Sequence, residues 1–315
     1  MEEIVPIKIQ ESLKELSYKL SDDARNPRLC GILDATVLEG GKRLRPLLTF
    51  LMGDFLGLEH QDLAPYAIDI ERIHAATLAH DDVVDAAKLR RGRATLNEVT
   101  SNKKAILAGD YLLAHVLQEV AGRGDARVVK ELSRVIADLV EGEWLQIENA
   151  ESKKLTFADI EKVALKKTGS VIRWTCMAPA LLKGLDEETL QWCQTFGECL
   201  GVAFQLGDDL LDYTRVDGGA LADMESGVVS SVIFYLAARD ASQLDASCLD
   251  FKKLPKDPES LKVAMAKVRR ELDRHLRLAR ESFDKIQKRL SSTPTSGEAT
   301  VKALRGLLHY LSIRV

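Results

Sequence analysis

The sequence predicts an all-α protein, on three observations. No proline occurs between Pro65 and Pro179, so nothing in that stretch interrupts a helix interior. Apolar residues there recur at helical spacing, as in Val128, Val129, Leu132, Val135, Ile136, Leu139 and Val140. β-Branched residues nowhere alternate cleanly with polar ones, as a half-buried strand would require.

Taken in order, the helical patterns are separated at Gly40-Gly41, at Arg91-Gly92-Arg93, at Gly122-Arg123-Gly124-Asp125, at Lys183-Gly184 and across Val216-Asp217-Gly218-Gly219. A long loop is expected from Ser242 to Ser260, with helices on both flanks. From Pro258 onward Lys and Arg alternate with Asp and Glu, as in Arg269-Arg270-Glu271-Leu272-Asp273-Arg274, which reads as a salt-bridged, solvated helix face. No repeat, low-complexity tract or Pro/Gly/Ser-rich linker divides the chain, so residues 1–315 are expected to form one domain.

The composition, 46% hydrophobic and 29% charged over 315 residues, is globular. A net charge of −4 provides no global basic field for nucleic acid or an anionic surface, so any anion site must be local. Five cysteines without a CxxC pair argue for buried thiols in a reducing compartment. The opening residues lack the basic and apolar regions of a signal peptide, and no apolar run is long enough to span a bilayer. A cytoplasmic location is therefore expected.

The chemistry concentrates in two acidic strings. His80-Asp81-Asp82-Val83-Val84-Asp85 and Asp208-Asp209-Leu210-Leu211-Asp212 share the spacing DDxxD, and each lies within an apolar helical pattern. Positions i and i+4 share a helix face, so Asp81 and Asp85 are expected to project together with Asp82 beside them. Carboxylates crowded in this way raise each other's pKa or demand a hard cation, and magnesium accepts such ligands while keeping waters for phosphate oxygens. One such string is usually a solvated face; two in apolar surroundings are not, because their interleaved apolar residues would be exposed as well. Arg90-Arg91-Gly92-Arg93 follows the first motif, and guanidinium groups suit bidentate phosphate recognition. Gly40-Gly41-Lys42-Arg43-Leu44-Arg45-Pro46 places three cations at a glycine turn where a helix starts. Taken alone, Lys167-Thr168-Gly169-Ser170 reads as a capped helix boundary.

Together these strings, with Ile73-His74, Gly109-Asp110-Tyr111-Leu112-Leu113, Glu141-Gly142-Glu143 and Phe204-Gln205-Leu206-Gly207 before the second motif, resemble the trans-isoprenyl diphosphate synthase (polyprenyl synthetase) family, in that family's order. The resemblance implies a bundle of long antiparallel helices around a central cavity, a homodimer, and three magnesium ions per active site. It assigns Asp81, Asp82, Asp85, Asp208, Asp209 and Asp212 to metal, and Lys42, Arg45, His74 and Arg91 to isopentenyl diphosphate. It places Arg90, Lys167, Thr168 and Gln205 at the allylic diphosphate. The implied catalytic set is Asp81, Asp82, Asp85, Lys167 and Asp208. The implied reaction is metal-assisted ionisation of the allylic diphosphate, attack by the alkene and loss of a proton.

Relatives line the floor of the product tunnel with residues about one helical turn before the first motif, here Ala76 and Thr77, with Ile73 one turn deeper. Small side chains there predict a long product, from hexaprenyl to decaprenyl (C30–C50), with a geranylgeranyl-length product as the alternative. One departure stands out: the family's lysines after the second motif are missing, with Val228 at one of them. A partner-dependent or non-catalytic subunit is therefore a rival reading. A terpene cyclase is a weaker one, since it needs neither the isopentenyl site nor a second DDxxD.

Overall fold

The computed structural model describes residues 5–20, 26–214, 228–238, 243–255, 257–291 and 297–313. Within them the chain is helical almost throughout. The helices are α1 (Ile7–Glu15), α2 (Pro27–Ala35), α3 (Leu44–Phe55), α4 (His60–Val84), the short α5 (Leu96–Val99), α6 (Asn102–Gly122), α7 (Ala126–Glu151) and α8 (Phe157–Ala164). They continue as α9 (Ser170–Lys183), α10 (Glu187–Thr214), α11 (Ser231–Ala238), α12 (Pro258–Arg289) and α13 (Glu298–Ile313).

Local chemistry fixes several ends. The Asn26 side chain accepts from the Leu29 amide, with Pro27 at the first helical position of α2. Ser101 and Asp125 cap α6 and α7 in the same way, and Thr156 with Asp159 forms a capping box at α8. Gly184 closes α9 in the left-handed region at φ 71°. The glycine breaks near residues 40, 122 and 184 thus fall between helices, whereas Val216–Gly219 lies outside the described residues. The two prolines bounding the expected helical stretch are themselves inside helices, Pro65 in α4 and Pro179 in α9.

At Arg91-Gly92 the chain makes a β-hairpin instead of a plain break. β1 (Leu89–Arg90) pairs antiparallel with β2 (Arg93–Ala94) around a two-residue turn with φ of 53° and 78°, the geometry that matches strand twist. The expected 242–260 loop contains two 3₁₀ turns, Ala246–Cys248 and Phe251–Lys253, and an isolated bridge between Leu155 and Leu244.

Helix α10 runs through the middle of the bundle, packed along α9 and α12, while α3, α4 and α6 form the adjoining layer. The largest core cluster joins Phe50, Phe55, Phe196, Leu200, Leu272 and Phe283 from α3, α10 and α12. A second, around Ile70, Ile73, Val116, Val135 and Trp174, ties α4 to α6, α7 and α9. Leu272 is buried while its neighbours make ion pairs, Arg269 with Asp273 at 3.4 Å and Arg274 with Glu271 at 2.9 Å, the solvated face expected of α12. Four of the cysteines are buried free thiols and Cys248 is exposed. No helix among the described residues is long and apolar enough to cross a membrane.

Candidate active site

The first aspartate motif closes α4. Asp81 stands on the wall of a cavity of about 660 Å³. Asp82, one residue and about 100° of rotation further on, turns the other way. It is 1% exposed, and its Oδ1 accepts from Nε and Nη2 of Arg90, both at 2.8 Å. Asp85 lies just past the helix as its C-cap, exposed at the surface. Asp81 and Asp85 both feel Lys167 and Glu143, as the helical spacing predicted, whereas Asp82 is neutralised inside the protein by Arg90, a residue expected at the allylic diphosphate. Burial pushes the Asp81 carboxyl up to about 6; the positive charge of Lys167 opposes this, and the negative charges of Glu143 and Asp85 add to it.

Lys167 and Thr168 reach the same cavity through a feature the sequence does not announce. Residues 165–169 form a π-helical turn that runs without a break between α8 and α9, so the expected helix boundary is absent. The turn sends its two lysines apart. Lys166 pairs with Asp138 and Glu141 at 2.6 and 2.7 Å, whereas Lys167 pairs with Glu143 at 2.5 Å and donates to Gln146 at 3.1 Å. Gly142 makes room for both, because a Cβ there would sit 2.7 Å from Lys167 Cγ and 2.8 Å from Lys166 Cβ. Behind the turn, buried Arg173 binds Glu131, Asp138 and Glu198 and joins α7, α9 and α10.

Across the cavity, α10 presents Asp208, Asp209 and Asp212 with Gln205 one turn earlier. Val228, Val229 and Ser230, which lead into α11, complete that wall. Val228 thus puts an apolar side chain where the resemblance implies a lysine. The rest of the altered loop lies outside the described residues.

Arg45 and His74 line the cavity as well. His74 is held well below the ordinary imidazole range, first by burial and then by the positive charges of Arg45, Arg91, Arg90 and Arg43. Arg90 and Arg91 also border a smaller adjoining pocket of about 270 Å³, between residues 35–40 and the hairpin. The Arg91 guanidinium rests on the glycine turn, where a Cβ at Gly41 would come within 3.2 Å of Nη1. Lys42 is exposed beside it and lines neither pocket.

Apolar side chains also line the cavity, Leu113 from α6 and Ile136, Leu139, Val140, Trp144 and Ile147 from α7, of which Val140, Trp144 and Ile147 are exposed. Of the three residues expected to set chain length, only Thr77 faces this space. Ala76 is fully buried in the cluster formed with Ala79, Ala105, Ala108 and Leu112, and Ile73 is buried among Val116, Val135 and Trp174. The sequence reading missed the α7 wall and Gln146, although Ile136, Leu139, Val140, Glu143 and Ile147 repeat at helical spacing.

The donor set suits a hard divalent cation. Among the described residues no three carboxylates, histidines or cysteines converge on one point, so the protein alone does not form a closed metal cage. Magnesium is typically held by one or two carboxylates together with substrate phosphates, and Asp81, under-neutralised on a cavity wall, meets that requirement. A helical bundle around one cavity lined by acidic, basic and apolar side chains has the architecture of the isoprenoid synthase fold.

Known proteins agree. The chain belongs to the polyprenyl synthetase family, whose model matches residues 26–268. It is 34% identical over 228 residues to the all-trans-polyprenyl-diphosphate synthase of Mus musculus, covering 69% of this chain and 56% of that protein. It is 37% identical over 182 residues to the octaprenyl diphosphate synthase of Escherichia coli, covering 58% of this chain and 56% of that protein. The chain thus matches little more than half the length of these relatives. Among solved structures, a decaprenyl diphosphate synthase from Rhodobacter capsulatus superposes with a TM-score of 0.75 at 28% identity, over 100% of this chain and 96% of that one. A geranylgeranyl pyrophosphate synthetase from the archaeon Geoglobus acetivorans gives 0.81 at 26%, over 99% and 98%. A polyprenyl synthase from Caulobacter crescentus, complexed with calcium and isoprenyl diphosphate, gives 0.72 at 26%, over 98% and 94%.

Proposed function

We propose that this chain is a trans-prenyltransferase that joins isopentenyl diphosphate to an allylic diphosphate and releases pyrophosphate. The observation that carries the reading is one cavity lined by Asp81 of α4, by Asp208, Asp209 and Asp212 of α10, by Lys167 and Thr168, and by apolar side chains of α6 and α7. Lys167 and Thr168 bind the allylic diphosphate, with Lys167 giving up Glu143 for phosphate oxygens. Arg45 and neutral His74, backed by Arg91 and Lys42, hold isopentenyl diphosphate. Magnesium, three ions per site by the family resemblance, is the cation that fits the aspartates, and when bound it neutralises charge on the departing pyrophosphate. Leu113, Ile136 and Leu139 supply the apolar surface on which the allylic cation meets the alkene of isopentenyl diphosphate. The carbon–oxygen bond breaks first, its electron pair leaving with pyrophosphate; the alkene then forms the carbon–carbon bond to the allylic cation, and the proton lost from the new chain passes to the pyrophosphate.

A medium-to-long product, C30–C50, is favoured by the small Thr77 at the wall and by the octaprenyl and decaprenyl relatives. The geranylgeranyl-length alternative has the Geoglobus neighbour behind it. Ile106 and Leu107, 44% and 66% exposed on α6, support pairing with a second copy of the chain. Incubation with magnesium, isopentenyl diphosphate and geranyl, farnesyl or geranylgeranyl diphosphate, with products read by mass spectrometry, tests the whole reading. Products beyond C20 support it, and a stop at C15 or C20 keeps the reaction but removes the long-chain assignment. Absence of extension with every starter favours the second reading, a partner-dependent subunit, for which apolar Val228 at the cavity wall is the specific observation.

A further inference from the structure

The middle aspartate of the second motif is tied into the fold by its neighbours. Both carboxylate oxygens of Asp209 are occupied by protein donors. Oδ1 accepts from Gln205 Nε2 at 3.0 Å, one helical turn earlier. Oδ2 accepts from the Ser231 amide at 3.0 Å and from the Ser231 hydroxyl at 2.6 Å. Gln205 is itself fixed, because its Oε1 accepts from the Thr168 hydroxyl at 2.8 Å. A continuous hydrogen-bonded line, Thr168–Gln205–Asp209–Ser231, therefore crosses the π turn, α10 and the first residue of α11.

Ser231 is fully buried. Its hydroxyl has one proton to give and gives it to the Asp209 side-chain oxygen at short distance. If Asp209 swung into the cavity, a buried amide and a buried hydroxyl would lose their acceptor, which burial makes costly. Asp209 is thus anchored, and Asp208 and Asp212 are carried to the cavity by a helix segment whose rotation that anchor fixes. The same bonds tie Val229 and Ser230 to the wall.

We propose that Ser231 is a positioning residue for the proposed prenyl transfer: through Asp209 it sets the second aspartate cluster for the metal–diphosphate end of the cavity. The proposal rests on the function given above and goes beyond it, because it assigns to Asp209 an anchoring role and to Ser231 a task that neither motif contains. The isopentenyl end, Arg45 and His74 on α3 and α4, lies outside this line of bonds.

The test compares the full chain with Ser231→Ala, Ser231→Thr and Gln205→Asn. Removing an outer partner of this kind costs roughly 10- to 100-fold. Ser231→Ala is expected to lower kcat about tenfold and to raise the magnesium concentration for half-maximal rate. It should weaken calorimetric binding of inorganic pyrophosphate in magnesium by a similar factor, with KM for isopentenyl diphosphate unchanged. Ser231→Thr, which keeps the hydroxyl, should recover most of the loss. Gln205→Asn, too short to span Thr168 and Asp209, should reproduce the magnesium and pyrophosphate changes even where Ser231→Ala folds poorly. Wild-type magnesium dependence and pyrophosphate affinity in both loss variants would overturn the proposal. So would a rise in KM for isopentenyl diphosphate in step with the other changes, or a threonine variant no better than alanine. A wild-type chain with neither turnover nor magnesium-dependent pyrophosphate binding would instead remove the function on which the proposal rests.

Discussion

The Asp82 carboxylate, 1% exposed, depends on Arg90 for its neutralisation. Removing the guanidinium strands a buried charge, so Arg90→Ala should destabilise the fold by about 2–3 kcal/mol, read as a lower denaturation midpoint at unchanged m-value. Arg90→Lys should recover part of this, since one ammonium replaces a two-pronged donor. A loss of turnover in Arg90→Ala without loss of stability would place Arg90 on substrate alone. The residues before the motif divide in the same way. Thr77 faces the cavity, so Thr77→Phe should fill it and shorten the product by one or more isoprene units in mass spectra. Ala76 is packed against α6, so Ala76→Phe is an overpacking change costing about 1–3 kcal/mol, visible as a lower melting temperature. A shorter product from Ala76→Phe at unchanged stability would return that residue to the tunnel.

Among the elements, the π turn decides which lysine serves the cavity, and glycines decide where the turn sits. A Cβ at Gly201 would lie 2.5 Å from Gly169 Cα and 3.0 Å from Gly169 N, backbone atoms that cannot rotate away. Gly201→Ala should therefore cost about 3 kcal/mol by forcing α10 off the turn. A Cβ at Gly142 meets Lys167 Cγ, which can rotate, but also Lys166 Cβ at 2.8 Å and Lys167 N at 3.1 Å, which cannot, so Gly142→Ala should cost somewhat less stability than Gly201→Ala and also lower kcat by displacing Lys167. Equal losses in both would argue against this ranking, and the check is a pair of melting curves with kcat beside them. Such packing explains what the sequence discloses. Helices and their ends are legible because proline, glycine and capping residues punctuate the chain, and the two DDxxD strings are legible because charge in apolar surroundings is conspicuous. The π turn is not, since one extra residue in a turn leaves no compositional mark, and strands of two residues, β1 and β2, are too short to show a period. Asp82 eludes the pattern because its partner Arg90 lies on β1, beyond the end of α4 and eight residues later. Ala76 and Thr77 cannot be told apart until the helix facing each side of α4 is known.

At the scale of the whole molecule, the cavity is assembled from helices that depend on separate anchors. One anchor is Glu161 on α8, which binds Arg274 at 2.8 Å and His275 at 2.8 Å on α12. The His275 hydrogen bond is the largest cause holding its carboxyl down to about 2, with burial opposing and Arg274 assisting. A depressed acid stabilises the fold fully above its unfolded value, near 4.5, and loses that contribution as pH falls towards 2. The contribution is about 3 kcal/mol at most, so Glu161→Gln should flatten the loss of stability between pH 4.5 and 2, measured by denaturant titration at each pH. The ligands should act on the same assembly from inside. Asp81, Asp208, Asp209 and Asp212 repel pyrophosphate unless a cation is present, while Arg45, His74 and Lys167 offer a bare cation nothing. Magnesium alone and pyrophosphate alone should each leave the melting temperature nearly unchanged. Together, at about one hundred times their dissociation constant, they should stabilise the native state by about 2.7 kcal/mol, a shift of several degrees. Chelation should abolish the shift. Pyrophosphate that stabilises equally well in a chelator would mean that the cations hold it unaided, and the aspartates would then need another explanation.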